Sequence, residues 1–271
     1  MYITHFASTA AKYGDMCIVD FDNYKIMIDG GKTKNDSLKL KTLLTKHLHC
    51  FILSHWHDDH YGFLNFALRG KRQSPKTYFG YGSNQIIVKE NKDVFIESGL
   101  DKMVILPKQK KQNVRTKIYS SHLTSNKDEN DNSLVTVIKC NNVNYFSFGD
   151  ATPESISSYN KEIFNLIRNS DNPIIKLPHH GSKDNCIALL KKIKCDENKG
   201  RYIISGLGGN DVFDTVNAVL GVESNYLYWV AKYDSNYCKT SAFQQAQINY
   251  GNRFVFTNRV TVNPDGSISY F

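Results

Sequence analysis

The chain has 271 residues, of which 41% are apolar and 22% charged, with a net charge of +8 at neutral pH. These proportions are ordinary for a globular protein with a sizeable core, and no apolar run approaches the ~20 residues that a membrane-spanning helix needs. The opening MYITHFASTAAKYGD lacks the basic-then-apolar order of a secretory signal.

Cys17, Cys50, Cys140, Cys186, Cys195 and Cys238 are scattered, with no C-x-x-C pair, so a zinc ribbon is not expected. They read as reduced, mostly buried thiols, and the localisation expected is cytoplasmic. The positive balance, with PKQKKQ at 107–112 and Lys191-Lys192, fits either plain solubility or an anionic partner.

Taken in order, residues 2–6 alternate as a strand, and MCIVDFDNYKIMIDGG gives two strands around Asp22-Asn23. Residues 37–48 place Leu40, Leu43, Leu44 and Leu48 on one helical face. A short buried strand over 50–53 runs into LSHWHDDHYG, and 61–69 reads as a helix closed by Gly70. The stretch 78–105 mixes weak signals. KDENDN at 127–132 reads as a polar loop, and 134–138 with 145–148 as a hairpin around Asn141-Asn142. Further on, 155–168 is expected to be one helix, 174–177 a buried strand, 185–193 a helix and 202–205 a strand. After the GLGGND turn come a helix over 241–250 and a final hairpin, FVFTNRVTVNPDGSISYF, turning at Asp265-Gly266. No repeat and no long linker interrupts 1–271, so one domain is the simpler expectation.

The chemistry concentrates at His55, His57, Asp59 and His60, in the pattern H-x-H-x-D-H. His55 and His57, two apart on an extended segment, share a side. Asp59 and His60 sit where the loop bends into the next helix. Neutral imidazole with carboxylate suits zinc, iron or manganese, and zinc takes about four ligands. One segment cannot complete two such spheres, so further ligands must arrive from elsewhere. Asp29 in IMIDGG, Asp150 in FSFGDA and the pair His179-His180 in IIKLPHHGS each end a strand beside a turn. Open α/β sheets place ligands at such strand ends. His5, His47 and His49 read as structural.

H-x-H-x-D-H after a strand, a downstream G-D and a later His before Gly resemble the metallo-β-lactamase fold superfamily. ENDNSLV, FSFGDA and LPHHGS narrow the resemblance to the hydrolase domain of ComEC-type competence proteins and their stand-alone relatives. IISGLGGND and the closing FTNRVTVNPDGSISY are similar to that family as well. The resemblance implies an α+β, four-layer αββα sandwich. It implies that His55, His57 and Asp150 serve one metal and that Asp59, His60, Asp150 and His180 serve a second. Asp59, Asp150 and His180 would be the catalytic members. His179 is the less favoured ligand of the HHG pair, and Asp29 would orient a ligand histidine from behind. Most superfamily members carry one more histidine before the bridging Asp; only His122 lies in that region here, and Asn132 is a further candidate near the metals or substrate.

The implied activity is metal-dependent hydrolysis with one or two Zn2+, Mn2+ or Fe being alternatives. At the position of His57 the di-iron flavoproteins of the superfamily carry a carboxylate, so hydrolysis is expected and electron transfer is not. No G-x-G-x-x-G followed by a spaced acid points to a nicotinamide or flavin. A phosphate-containing substrate, nucleic acid or nucleotide, and hence a phosphodiesterase or nuclease, fits both the resemblance and the positive charge. Lys176, Ser182 and Lys183 stand beside HHGS as phosphate contacts or as solvated residues. The alternatives are a lactone, β-lactam or thioester hydrolase on the same fold, or a metal-holding binding module without turnover.

Overall fold

The computed structural model describes residues 1–8, 14–21, 24–33, 35–36, 48–63, 76–80, 94–97, 99–104, 114–123, 128–197 and 199–271. All but the last residue of the expected helix over 37–48, most of the one over 61–69, and the basic stretch 107–112 lie outside them.

The strands are β1 (Tyr2–Phe6), β2 (Met16–Phe21), β3 (Tyr24–Gly30), β4 (Cys50–Ile52), β5 (Lys76–Phe79), β6 (Val94–Phe95), β7 (Lys102–Val104), β8 (Val114–Tyr119), β9 (Val135–Cys140), β10 (Val143–Ser147), β11 (Ile174–Lys176), β12 (Arg201–Ser205), β13 (Tyr226–Val230), β14 (Phe254–Thr257), β15 (Arg259–Val262) and β16 (Ile268–Tyr270). The helices are α1 (Asp58–Phe63), α2 (Pro153–Ser158), α3 (Lys161–Arg168), α4 (Lys183–Ile193), α5 (Val212–Leu220), α6 (Ser235–Cys238) and α7 (Ser241–Tyr250). One sheet runs β16-β15-β1-β2-β3-β4-β5-β6, the other β14-β13-β12-β11-β10-β9-β8-β7. Strands β3 to β6 and β10 to β14 pair in parallel, which suits their near-continuous apolar runs.

Period-two patterning decides which face meets which layer. Cys17, Val19 and Phe21 on β2 and Ile26 and Ile28 on β3 point to the other sheet, where Ile138, Tyr145, Ile174 and Ile203 meet them. The alternate residues of the second sheet, among them Phe146, Ile175, Ile204 and Trp229, face helices α2 to α5 and α7. On the outer face of the first sheet, Ile18, Met27, Phe51 and Leu53 pack with Trp56 and Tyr61. The order of layers is therefore helix, sheet, sheet, helix.

Three expectations are corrected. The helix over 155–168 is two, α2 and α3, because Tyr159 takes an extended conformation and Asn160 caps the next helix by accepting from Glu162 N–H at 2.9 Å. The last 18 residues are not one hairpin: β14 joins the second sheet beside β13, and only β15 and β16 pair at the Asp265-Gly266 turn, in the first sheet. The polar loop ends in a short 3-10 turn, Glu129–Asn132, capped by Asp128. Helix α5 and strand β13 were not anticipated.

His5 lies buried between the sheets, 3.0 Å from the Tyr145 hydroxyl. Burial lowers its pKa from 6.5 to about 4 against the opposing pull of Asp15. The unfolded chain takes up this proton near 6.5 and the folded one only near 4, so acidification through that window favours unfolding. The loss amounts to about 3 kcal/mol by pH 4. Urea unfolding at a series of pH values should show His5→Gln with a flatter stability profile between those two limits.

Candidate metal centre

Chain segments far apart in sequence end at one edge of the facing sheets. Strand β3 delivers Asp29, whose φ of 54° turns the chain sharply. Its Oδ1 accepts from Ser54 N–H at 2.8 Å and its Oδ2 from the Ser54 hydroxyl at 2.9 Å. That pins the start of the histidine segment. Helix α1 follows at once and seats against β3, with Gly62 N–H donating to Gly31 O at 2.8 Å. A Cβ on Gly62 would stand 2.3 Å from that carbonyl, so only glycine allows this approach. From the other sheet, Gly149 at φ 54° brings Asp150 in; a Cβ there would strike Ser54 at 2.7 Å. Strand β11 delivers His179 and His180, both left-handed, at φ 47° and 51°.

His55, Asp59, His60, Asp150 and His180 are all buried. Asp150 Oδ2 lies 3.4 Å from His60 Nε2, 3.4 Å from His180 Nε2 and 3.9 Å from His55 Nε2. Asp59 Oδ2 lies 3.0 Å from His180 Nε2 and 3.9 Å from His60 Nε2. Behind these faces, His60 Nδ1 meets Asp29 Oδ2 at 2.9 Å, and His180 Nδ1 donates to Ser205 O at 2.9 Å. Each imidazole is thus held from the rear with its other nitrogen turned inward, the usual second-shell arrangement around a metal ligand.

Charge sharpens the picture. Burial alone would lower the pKa of His60, but Asp150, Asp29 and Asp59 hold it well above the usual histidine range. His180 is likewise raised, against its burial, by Asp150, Asp59 and Asp15. His55 is pushed far down by burial and by the neighbouring His60. Burial opposes ionisation of Asp59 and Asp150, yet the imidazoles drive both pKa values down. Protons on His60 and His180 therefore balance the carboxylates, and a cation binding here must expel them.

Do these residues fit a metal? The inward nitrogens of His55 and His60 are buried and make no hydrogen bond, a costly state in a water-excluded pocket. Among the described residues, three sets bring their donor atoms within 4.8 Å of one another: His55, His60 and Asp150; Asp59, His60 and His180; and Asp15, Asp29 and His60. The first two suit a divalent cation in both chemistry and spacing. The third is taken: Asp15 pairs with the Lys176 ammonium.

The other sequence candidates fall as follows. His57 and His179 line the mouth of a cleft of about 230 Å³, with Asp59, Asp150, His180, Ser182, Gly208, Gly209 and Asp211, but belong to none of the three sets. The ring of His57 lies edge-on to His55, centroids 4.7 Å apart. His122 is exposed, its imidazole beside Gly99 and its N–H on Ser158, and is in none of the sets. Asn132 is buried at the end of the 3-10 turn, its carbonyl against Gly80.

Lys176 is not a solvated phosphate contact. It is 2% exposed, on Asp15, 2.8 Å from Gly149 O and 3.7 Å from Asp150 Oδ1. Burial would depress its pKa, and the two carboxylates raise it instead. Lys183 pairs with Asp214 at 2.9 Å on the surface. Asp15 was missed altogether. The signals were a lysine inside the buried run IIKLP, which demands a buried acid, and an acid opening the strand antiparallel to β3.

No family model and no curated protein matches this chain. Solved structures do. It is similar to Tm1679, described as a metal-dependent hydrolase of the β-lactamase superfamily, at 13% identity over 85% of this chain and 96% of that one, TM-score 0.53. The metallo-β-lactamase fold protein YhfI from Bacillus subtilis gives 13% identity over 85% and 97%, TM-score 0.50. A CmlA β-hydroxylase gives 10% identity over 97% and 54%, TM-score 0.50. The names differ in chemistry, so the likeness speaks for architecture. With two mixed sheets face to face and helices outside them, the chain has the metallo-β-lactamase fold.

Proposed function

We propose that the chain is a metal-dependent hydrolase acting on phosphodiesters, a nuclease or nucleotide phosphodiesterase. One observation carries the reading: two sets of histidine and aspartate donors share His60 and stand side by side around Asp150, with two buried imidazole nitrogens lacking partners. In this reading His55, His57 and Asp150 would hold one cation, His57 being assigned by the resemblance and by its place on the cleft wall, and Asp59, His60, Asp150 and His180 a second. Zinc is the metal expected from the donor set, with manganese or iron as alternatives. A divalent pair supplies Lewis acidity and lowers the pKa of a bound water from about 15.7 towards about 7.

The protein's own share is orientation. Asp29 holds His60, and the Ser205 carbonyl holds His180, so both present one fixed nitrogen. Asp59 lines the cleft with Asp150, where its carboxylate would orient a reacting water. At about 230 Å³ the cleft suits the reacting ester and leaves the flanking substrate outside. Support for phosphate comes from the resemblance of ENDNSLV and LPHHGS to ComEC-type domains and from the net charge of +8.

Elemental analysis of purified protein should find one or two equivalents of metal. The zinc- or manganese-replete protein should cleave at least one of bis-p-nitrophenyl phosphate, single-stranded DNA, RNA or a cyclic nucleotide, and a chelator should abolish this reversibly. Inertness towards all four would overturn the phosphodiester reading. Turnover confined to nitrocefin, a lactone or a thioester would reassign the substrate.

A further inference from the structure

The adjacent histidines at the end of β11 are held in opposite ways. His180 Nδ1 donates to the Ser205 carbonyl at 2.9 Å, so Nε2, which faces Asp59 and Asp150, is the nitrogen that would give up its proton to a cation. His179 Nδ1 instead lies 3.4 Å from Asn185 Nδ2. Three further contacts orient that amide. Nδ2 donates to Ala151 O at 2.8 Å and lies 3.5 Å from Asp150 O, while Oδ1 accepts from Ser182 Oγ at 3.4 Å. Carbonyls only accept, which fixes the NH2 end. An N–H facing Nδ1 needs a lone pair there, and the ring proton of His179 then sits on Nε2.

That nitrogen is the one turned away from Asn185, and His179 lines the cleft beside His57, Asp59 and Asp150. The backbone is committed to this placement. His179 and His180 are successive left-handed residues, a conformation disfavoured for both, and it is held by His179 N–H on Gly149 O at 3.1 Å and Ser182 N–H on His179 O at 2.8 Å. No lysine or arginine is among the described residues lining the cleft.

We propose that His179 is a catalytic residue of the hydrolase described above: its Nε2–H donates a hydrogen bond to a non-bridging oxygen of a phosphoryl group in the cleft, and Asn185 is the positioning residue that fixes its tautomer. The inference rests on the phosphodiester reading. Its acceptor is the oxygen that gains charge as the ester is attacked, where a preplaced donor is worth about 10²–10³-fold in rate.

Long-range 1H–15N spectra of the metal-loaded protein, labelled at histidine and assigned with His179→Gln, should show His179 protonated on Nε2 and His180 on Nδ1. His179→Ala should keep the wild-type metal content, bind inorganic phosphate at least about tenfold more weakly, and lose about 10²–10³-fold in kcat. Asn185→Asp turns the Nδ1 partner into an acceptor and moves the proton off Nε2. It should reproduce the loss of phosphate binding with metal content unchanged. The proposal falls if His179 carries its proton on Nδ1, if His179→Ala loses a metal equivalent, or if that variant binds phosphate as the parent does. Spectra and phosphate binding are read without turnover, so failure of the hydrolase reading is told apart by the substrate panel.

Discussion

Asp150→Ala is expected to abolish hydrolysis and to lower the metal content of the purified protein. Asp150 Oδ2 stands within 3.9 Å of three imidazole nitrogens, from His55, His60 and His180, and among the described residues no other carboxylate oxygen reaches all three. In the proposed centre its removal takes away a donor shared by both cation positions, and it leaves His60 and His180 with less negative charge between them. The loss should exceed the ~10–100-fold that follows removal of an outer partner of a metal site. Asp29→Ala supplies that comparison, since Asp29 touches His60 from behind. Activity and metal content measured on both variants should rank Asp150→Ala well below Asp29→Ala. Equal activities would place the centre elsewhere.

Lys176→Met is expected to destabilise the metal-free protein by about 3 kcal/mol or more, because one partner of a buried ion pair is removed and the other stays. For a chain of this size that is on the order of 10 °C in melting temperature. Asp15, left behind, would have His180 Nδ1 at 3.7 Å and His60 Nδ1 at 4.0 Å as its remaining ionisable partners among the described residues. Combining Lys176→Met with Asp15→Asn should restore most of the loss, as replacing both members of a buried pair costs far less than removing one. Unfolding in urea with chelator present measures this free of any contribution from bound metal. A Lys176→Met protein as stable as the parent would show the pair to be dispensable.

How much of this could be read from the chain alone depends on whether the deciding contacts are local. H-x-H-x-D-H is a local pattern, and so are the strand-ending Asp29, Asp150 and His180; folding brings all of them to one edge. Strands β1 to β4, the β9–β10 hairpin and helices α4 and α7 follow from alternation and from caps close by. What escaped was one local cap and several long-range contacts. The break at Tyr159-Asn160 depends on a capping amide overriding a continuous helical pattern. The transfer of β14 to the second sheet depends on pairing with β13, itself unforeseen. The Lys176–Asp15 pair joins the two sheets; the buried run around Lys176 calls for an acid, but only the fold says that it is Asp15.

The first sheet closes only when β15 lies beside β1, pairing Ile3 with Val262, while the preceding β14 is stitched into the opposite layer. A growing chain can therefore pair β1 with β2 early, while the other edge of β1 stays open until β15 has been made. Assembly of this topology pays its loop-closure entropy late, and should be slow for its size. His55, His57 and His60 precede Asp150 and His180 by ninety positions or more, so in the proposed centre a cation would find its full donor set only once the two sheets have met.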